Sequence, residues 1–328
     1  MTQVVVVGGG IAGLLTAVRL SERGHSVTLL EAQPQLGGMI TSITVGDALV
    51  DAGAEAYAVR GGTVRALCDE LGLAVAPPRG TSQLWWQHGS NPMATGVLGI
   101  PSSLDDPALE ALSSDEYQLA AAEPQLDPAV GADSTTLAEL VRLRLGEAVL
   151  TKLVAPVTRG VYALSPEQMP LAEFAPRLLP KIAQTGSLIA AVAQLRGPGS
   201  AAVEQPVGGM FRLIEALRER FIAAGGTLHT NAAATRLERG ASGITVCAAD
   251  DLRFNADQLV LATAAQPAAR LLATLGVELT PPPVRTIRSV ILTTKKPEFA
   301  AHPIGSGAVV AEPDGVGAKA ITLSLIHI

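Results

Sequence analysis

The chain has 328 residues, 48% of them hydrophobic, which is enough for two domains, or one large one, with a substantial core. A formal net charge of −6 and a pI near 5.4 leave no basic surface for a nucleic-acid backbone. Cys68 and Cys247 stand far apart and in no CxxC context, so they read as unpaired thiols in a reducing cytoplasm.

Mean hydropathy is +0.34, yet no run supports a bilayer span. The most apolar stretch, residues 4–18, is interrupted by Gly8, Gly9, Gly10 and Gly13 and has no basic residue before it. It is neither a secretory signal nor a stop-transfer helix, and residues 187–195 are too short to cross. The expected location is the cytoplasm, with a peripheral membrane contact left open.

In chain order, residues 3–7 read as a buried strand, 11–23 as a helix ending near Gly24, and 26–31 as a second strand, together a βαβ unit. A helix follows at 61–73. Residues 83–96 read as a hairpin with His88–Asn91 as its turn and Trp85 and Trp86 on opposite faces. From about 105 to 195 the pattern is helices separated by Pro and Gly. Thr136 and Glu139 stand at capping-box spacing, with Leu137, Leu140 and Val141 on one face, and the Ser165–Gln168 stretch repeats the start signal. After a loop at 196–202 the α/β rhythm returns. A helix spans 210–224 with Phe211, Ile214, Leu217 and Phe221 facing inward, strands follow at 227–230, 233–238, 243–247 and 258–263, and a helix at 265–275.

The expected fold class is therefore α/β, built on a discontinuous Rossmann-like domain. Residues 1–80 and 205–275 would form that domain, with Val4–Val7 and Gln258–Thr263 in one sheet. Residues 81–204 and 276–322 would form an inserted, largely helical domain with some β-sheet.

Gly8-x-Gly10-x-x-Gly13 lies between the first strand and the first helix, the context a dinucleotide fingerprint requires. Gly8 permits the turn, Gly10 lets backbone approach a pyrophosphate, and Gly13 lets helix pack on strand. Gly10, Ile11, Ala12 and Gly13 open the helix, whose N-terminus offers N–H donors and a positive dipole end. Glu31 ends the second strand, placed to accept hydrogen bonds from a ribose diol and to disfavour the 2′-phosphate of NADP. Gly197-x-Gly199-x-x-Ala202 and Gly315-x-Gly317-x-x-Ala320 match a relaxed pattern but lack the strand–helix context. The fingerprint serves NAD and FAD alike, so it does not choose between them.

Residues 31–40, with the Gly37-Gly38 doublet, and residues 51–60, "DAGAEAYAVR", resemble the flavoprotein superfamily of amine oxidases, carotenoid desaturases and porphyrinogen oxidases. The resemblance implies FAD, with Gly37, Gly38, Gly53, Ala54 and Glu55 carrying backbone past its pyrophosphate and ribityl chain. By themselves these residues indicate only close backbone approach to something bulky. Residues 99–103, 144–171, 207–210 and 318–324 resemble the bacterial protoporphyrinogen/coproporphyrinogen III oxidases, most specifically in "RGVYALSPEQ" (159–168).

That likeness implies FAD-dependent oxidation of a porphyrinogen to the porphyrin, with O₂ as acceptor, in haem biosynthesis. It implies that Ala234, in the 230–238 strand, meets the adenine, although that residue reads equally as sheet core. The strand at 260–265 would close over the cofactor. A four-propionate substrate asks for Arg partners. Arg60 and Arg159 lie in the family-like segments, with Lys152 and Arg177 nearby, and each also reads as a surface charge. Tyr162 reads either as pocket wall or as core. No catalytic side chain is singled out, because the flavin carries the chemistry. His25, His88, His229, His302 and His327 show no ligand spacing, so no metal is expected.

Another amine-oxidase-superfamily flavoenzyme would lack the 144–171 segment, and a disulfide reductase would need a CxxC. An inactive fragment is the other alternative. Residues 323–328 read as a non-native tail where the resemblance expects further chain, so this sequence is expected to hold FAD poorly and to be inactive.

Overall fold

The computed structural model describes all residues except 87–88, 197–201, 241–242, 285, 295, 299–304, 312–316 and 324–328. His88, most of the 196–202 loop, part of the 315–320 glycine match, His302, His327 and nearly all of the 323–328 tail lie outside the described residues.

Four consecutive valines, Val4–Val7, favour extended backbone because two groups on Cβ restrict rotation in any tighter conformation. All four are buried, and a strand buried on both faces belongs at the centre of a parallel sheet. Strand β1 (Gln3–Val7) runs through Gly8–Gly10 into helix α1 (Ile11–Glu22), and β2 (Ser26–Leu30) returns beside it in parallel, Val5 opposite Thr28. The other neighbour of β1 is Gln258–Leu261, with Val4 opposite Gln258, while β2 pairs with Thr227–His229. The four-stranded sheet thus joins strands from residues 3–30 with strands from residues 227–261.

Its two faces are covered differently. On one, Val4, Val6 and Leu29 pack with Leu14, Ala17 and Val18 of α1 and with Leu213, Leu217 and Phe221 of the helix Phe211–Ala223. On the other, Val5, Val7 and Leu30 pack with Leu237, Val246, Ala256 and Leu271. Those residues belong to an antiparallel sheet (Ala234–Arg239, Ile244–Ala248, Arg253–Ala256) and to the helix Ala265–Ala273. At the surface, Arg19 and Arg220 each pair with both Glu22 and Glu70. Hydrogen bonds from Arg19 first, and from Arg220, bring the Glu70 carboxyl down to about 2.

The chain divides into two compact units, Met1–Pro77 with Ala201–Lys295, and Pro78–Ser200 with Lys296–Ser324. Residues 276–294, expected with the inserted segment, fall in the first unit.

The second unit is mainly helical. Helix Leu137–Leu145 buries Leu137, Leu140 and Val141, and on the same face it buries Arg144. Arg144 and Glu123 are both fully buried and meet at 2.6 Å. Two further guanidinium N–H groups donate to the carbonyls of Val130 (2.9 Å) and Gly186 (2.8 Å). The Glu123 carboxylate also accepts from the Ser187 hydroxyl (2.5 Å) and the Leu188 N–H (2.6 Å), at the start of the helix Leu188–Arg196. One buried ion pair thereby joins three stretches of chain, each guanidinium nitrogen and both carboxylate oxygens having a partner.

Three local expectations are corrected here. The hairpin strands are Gln83–Trp86 and Gly89–Pro92, with Asn91 opposite Leu84, so Gly89–Asn91 are strand and not turn. Asn91-Pro92 mimics a turn signal, but this strand is at the edge of its sheet, where a missing proline N–H costs little. Thr136 does cap its helix, accepting from the Glu139 N–H at 3.3 Å, but the Glu139 carboxylate accepts from Thr135 N–H (2.9 Å) instead of returning to Thr136. The Ser165–Gln168 signal opens only a three-residue turn, Pro166–Gln168. Nearby, Leu150–Val154 and Thr158–Tyr162 form wide π turns on either side of Pro156. Pro156 has no N–H to donate, and its ring displaces the carbonyl four residues earlier.

Arg144→Met should lower the unfolding free energy by about 3–5 kcal/mol in urea titration, because Glu123 would be left as a buried charge without its partner. A loss under about 1 kcal/mol would mean that the carboxylate is held by its other donors alone.

Candidate cofactor site

The site begins where β1 ends. Gly8 turns the chain at φ +109°, its N–H donating to the Leu30 carbonyl at 2.8 Å. A methyl group on Gly13 would stand 1.9 Å from the Gly8 carbonyl oxygen, so only glycine lets α1 start this close to the strand. Gly10 is different. Its backbone is ordinary (φ −68°, ψ 175°), and the nearest atom to a methyl placed there is the Gly37 oxygen at 3.9 Å. Protein packing does not require glycine at this position; the space over it is left clear.

That space lies at the start of α1. The first N–H groups of a helix have no intrahelical partner. Here no side chain caps them and no acidic residue occupies the first turn. Gly10, Ile11, Ala12 and Gly13 therefore form a helix start without a side-chain cap, where N–H groups and the positive end of a helix dipole suit an anion.

Glu31 follows β2 and is partly exposed. Its Oε2 accepts from the Gly9 N–H at 2.7 Å and its Oε1 from the Gln33 N–H at 2.8 Å. A carboxylate has about four lone-pair positions, so these two bonds leave room for hydroxyl donors. The bond to Gly9 was not read from the sequence, and it gives Glu31 a part in shaping the glycine loop. Ala232 N–H donates to the Glu31 carbonyl (2.8 Å) and Asn231 N–H to that of Gln33 (3.1 Å), which sets the 231–234 stretch beside the end of β2. Ala234 opens its strand half-buried, packed against the apolar core.

The glycine doublet also joins the loop. Gly37 N–H donates to the Gly9 carbonyl at 2.9 Å, and Gly10 and Gly37 form a β-bridge. Ala54 N–H donates to the Met39 carbonyl (2.8 Å), bringing Gly53, Ala54 and Glu55 alongside the doublet. Gly38 and Gly53 are exposed. The fingerprint, Glu31, the doublet and the 53–55 segment thus form one continuous patch of the first unit.

The residues named for the substrate are spread over both units. Arg60 is exposed in the first. In the second, Arg159 is exposed, and Tyr162 is 44% exposed and stands edge-on to Phe174 at 6.0 Å, so it is not core. Lys152 pairs with Glu116 at 2.6 Å, holding that carboxyl below its usual range, and Arg177 is exposed. Cys68 and Cys247 are free and buried, and burial pushes the Cys68 thiol up. Among the described residues no cluster of His, Cys, Asp and Glu could hold a metal, and no helix is long and apolar enough to cross a membrane.

An open space over glycine, an uncapped helix start and a carboxylate at the end of the next strand fit a dinucleotide. The sequence matches the flavin containing amine oxidoreductase family over residues 11–296, and the chain belongs to that family. FAD is accordingly its cofactor. The chain is 32% identical to a coproporphyrinogen III oxidase of Mycobacterium leprae (strain TN), over 97% of this chain and 72% of that one. It is 28% identical to a coproporphyrinogen III oxidase of Bacillus subtilis (strain 168), over 60% of this chain and 44% of that one. In fold it resembles a crystal structure from Exiguobacterium sp. 255-15, provisionally described as a protoporphyrinogen oxidase. That match has a TM-score of 0.74 and 22% identity, covering 98% of this chain and 72% of the other.

Two glycine variants separate packing from ligand space. Gly13→Ala should cost several kcal/mol, roughly the 1–3 kcal/mol of an overpacked core or more, and depress the melting temperature. Gly10→Ala should change apo stability by less than about 1 kcal/mol, the range of a weak capping residue, yet reduce FAD affinity in a fluorescence titration. Equal melting-temperature losses in the two variants would show that the space over Gly10 is not reserved for a ligand.

Proposed function

We propose that this protein oxidises a porphyrinogen, coproporphyrinogen III or protoporphyrinogen IX, to the porphyrin with O₂ as acceptor, as a cytoplasmic step of haem biosynthesis. The observation that carries the reading is the 32% identity, across 97% of the chain, to a protein named coproporphyrinogen III oxidase. The second unit is included in that alignment, so the likeness is not confined to the nucleotide fingerprint. No described feature favours a different amine-oxidase-type substrate.

In this reading the first unit holds FAD. When bound, FAD would supply the redox chemistry, three two-electron oxidations in each of which the tetrapyrrole gives up a hydride and a proton and the electrons go on to O₂. The chain's own work is to bind and orient. The N–H groups of Gly10–Gly13 receive the pyrophosphate charge, and the space over Gly10 admits it. Glu31 accepts from the ribose hydroxyls while keeping its bond to Gly9. Gly37, Gly38, Gly53, Ala54 and Glu55 border the path of the ribityl chain, and Ala234 stands near the adenine. Arg60 in the first unit and, separately, Arg159 and Tyr162 in the second are the residues put forward for substrate contact.

Two measurements test this. Glu31→Ala removes an acceptor of charge-assisted hydrogen bonds, worth roughly 1.5–3 kcal/mol, so FAD affinity should fall about tenfold or more. Unchanged affinity would remove Glu31 from the site. Once loaded with FAD, the protein incubated in air with coproporphyrinogen III or protoporphyrinogen IX should generate porphyrin fluorescence faster than the spontaneous reaction, whereas failure to take up FAD would leave the inactive fragment expected from the sequence. Flavin-loaded protein that leaves both porphyrinogens at the spontaneous rate would refute the substrate assignment.

A further inference from the structure

Asp51 ends the strand Ala48–Asp51 and is 5% exposed. Its Oδ2 accepts from the Met210 N–H at 2.8 Å and its Oδ1 from the Phe211 N–H at 3.0 Å. The carboxylate therefore caps the helix Phe211–Ala223 from a point 159 residues away in sequence. A cap of this kind usually comes from the residue just before the helix. That place is taken by Met210, which supplies no side-chain cap.

The backbone on either side of Asp51 is tied in the other direction. Ala52 N–H donates to the Thr41 carbonyl and Ala54 N–H to the Met39 carbonyl, both at 2.8 Å. Gly53 has no room for a side chain, since a methyl there would stand 2.1 Å from the Met39 oxygen. Ile40 N–H donates to Gly37 O (3.0 Å), and Gly37 N–H to Gly9 O (2.9 Å). The circuit closes by packing, because Ile214, in the first turn of the capped helix, lies 3.5 Å from where a methyl on Gly37 would be. The glycine loop, the doublet, the 52–54 stretch and the start of the helix form one ring of contacts, and the Asp51 side chain joins its last two members.

We infer that Asp51 is a positioning residue for the cofactor. By holding the helix start against the 37–54 backbone, it sets the spacing of three segments that surround FAD in the site proposed above, and the inference rests on that site assignment. It does so without needing to touch the cofactor. A carboxylate suits the place because two N–H groups must be met at once. Asparagine offers one acceptor oxygen and turns N–H donors toward the other N–H.

The test compares wild type, Asp51→Asn and Asp51→Ala by native-state hydrogen exchange and by FAD titration. Wild type should protect the amides of Gly37, Ile40, Ala52 and Ala54. In Asp51→Asn their exchange should rise about tenfold together with that of residues 210–213, and FAD affinity should fall by a similar factor, the change expected from losing one charge-assisted bond. Asp51→Ala should show the same pattern more strongly. If it does not fold, the asparagine variant still gives the reading. Faster exchange confined to 210–213 would make Asp51 a local helix cap and overturn the inference, whatever happens to affinity. Loss of protection across 37–54 on going from wild type to Asp51→Asn, in a protein whose wild type binds no FAD, would uphold the ring and count against the site assignment instead.

Discussion

Between Gly8 and Gly13 the backbone passes closer to itself than a side chain allows, and the first unit is arranged around that approach. With a methyl group on Gly13 only 1.9 Å from the Gly8 oxygen, any larger residue would push α1 away from β1. Leu14, Ala17 and Val18 would then lose the full burial that the contact gives them. Each buried aliphatic side chain of Leu or Val size contributes roughly 1.5–3 kcal/mol, so the approach is a term of stability as well as of binding. Gly10, three residues earlier, is bridged to Gly37 through its backbone but has room for a methyl group. Of two glycines in one motif, packing requires one and leaves space over the other.

The second unit is fastened in another way. Its helices are short and broken by proline, and the element connecting them is polar: Arg144 with Glu123, both fully buried. Such a pair is costly to desolvate and is tolerable only when its remaining donors and acceptors are filled. Here the carbonyls of Val130 and Gly186, the Ser187 hydroxyl and the N–H of Leu188 give every nitrogen and oxygen of the pair a partner, so the pair also fixes where those segments run. The first unit takes its order from close backbone contact, the second from a buried, hydrogen-bonded charge pair.

What the sequence disclosed follows the range of the interactions concerned. The strand–glycine–helix start was legible because its causes lie within ten residues: four valines, then glycines at fixed spacing. Glu31 was legible because β2 must end near the loop that β1 feeds. The pairing of β1 with Gln258–Leu261 was readable only as a return of α/β rhythm, and the structure supplies its register. Asp51 and Arg144 carried faint signals. Arg144 sits seven residues after Leu137, on the apolar face of its helix, where a charge has to find a partner. The partners themselves, Glu123 and the helix start at 210, are distant in sequence and nothing local names them. The π turns around Pro156 were missed because a proline in a helical pattern shows that something must give but not how. The hairpin turn was misplaced because Asn-Pro is a turn signal in isolation and an edge-strand ending in this sheet.

The parallel sheet also imposes an order of events. β1 is made long before one of its two neighbours, Gln258–Leu261. At roughly 5–20 residues per second of synthesis, the valine strand waits on the order of 10–50 s for that neighbour. During that time it can pair with β2 and collect α1, but its other edge has nothing of its own chain to bond. An unpaired apolar strand edge is a template for other chains, so the interval before residue 261 emerges is when a growing chain is most exposed to its neighbours on the same messenger.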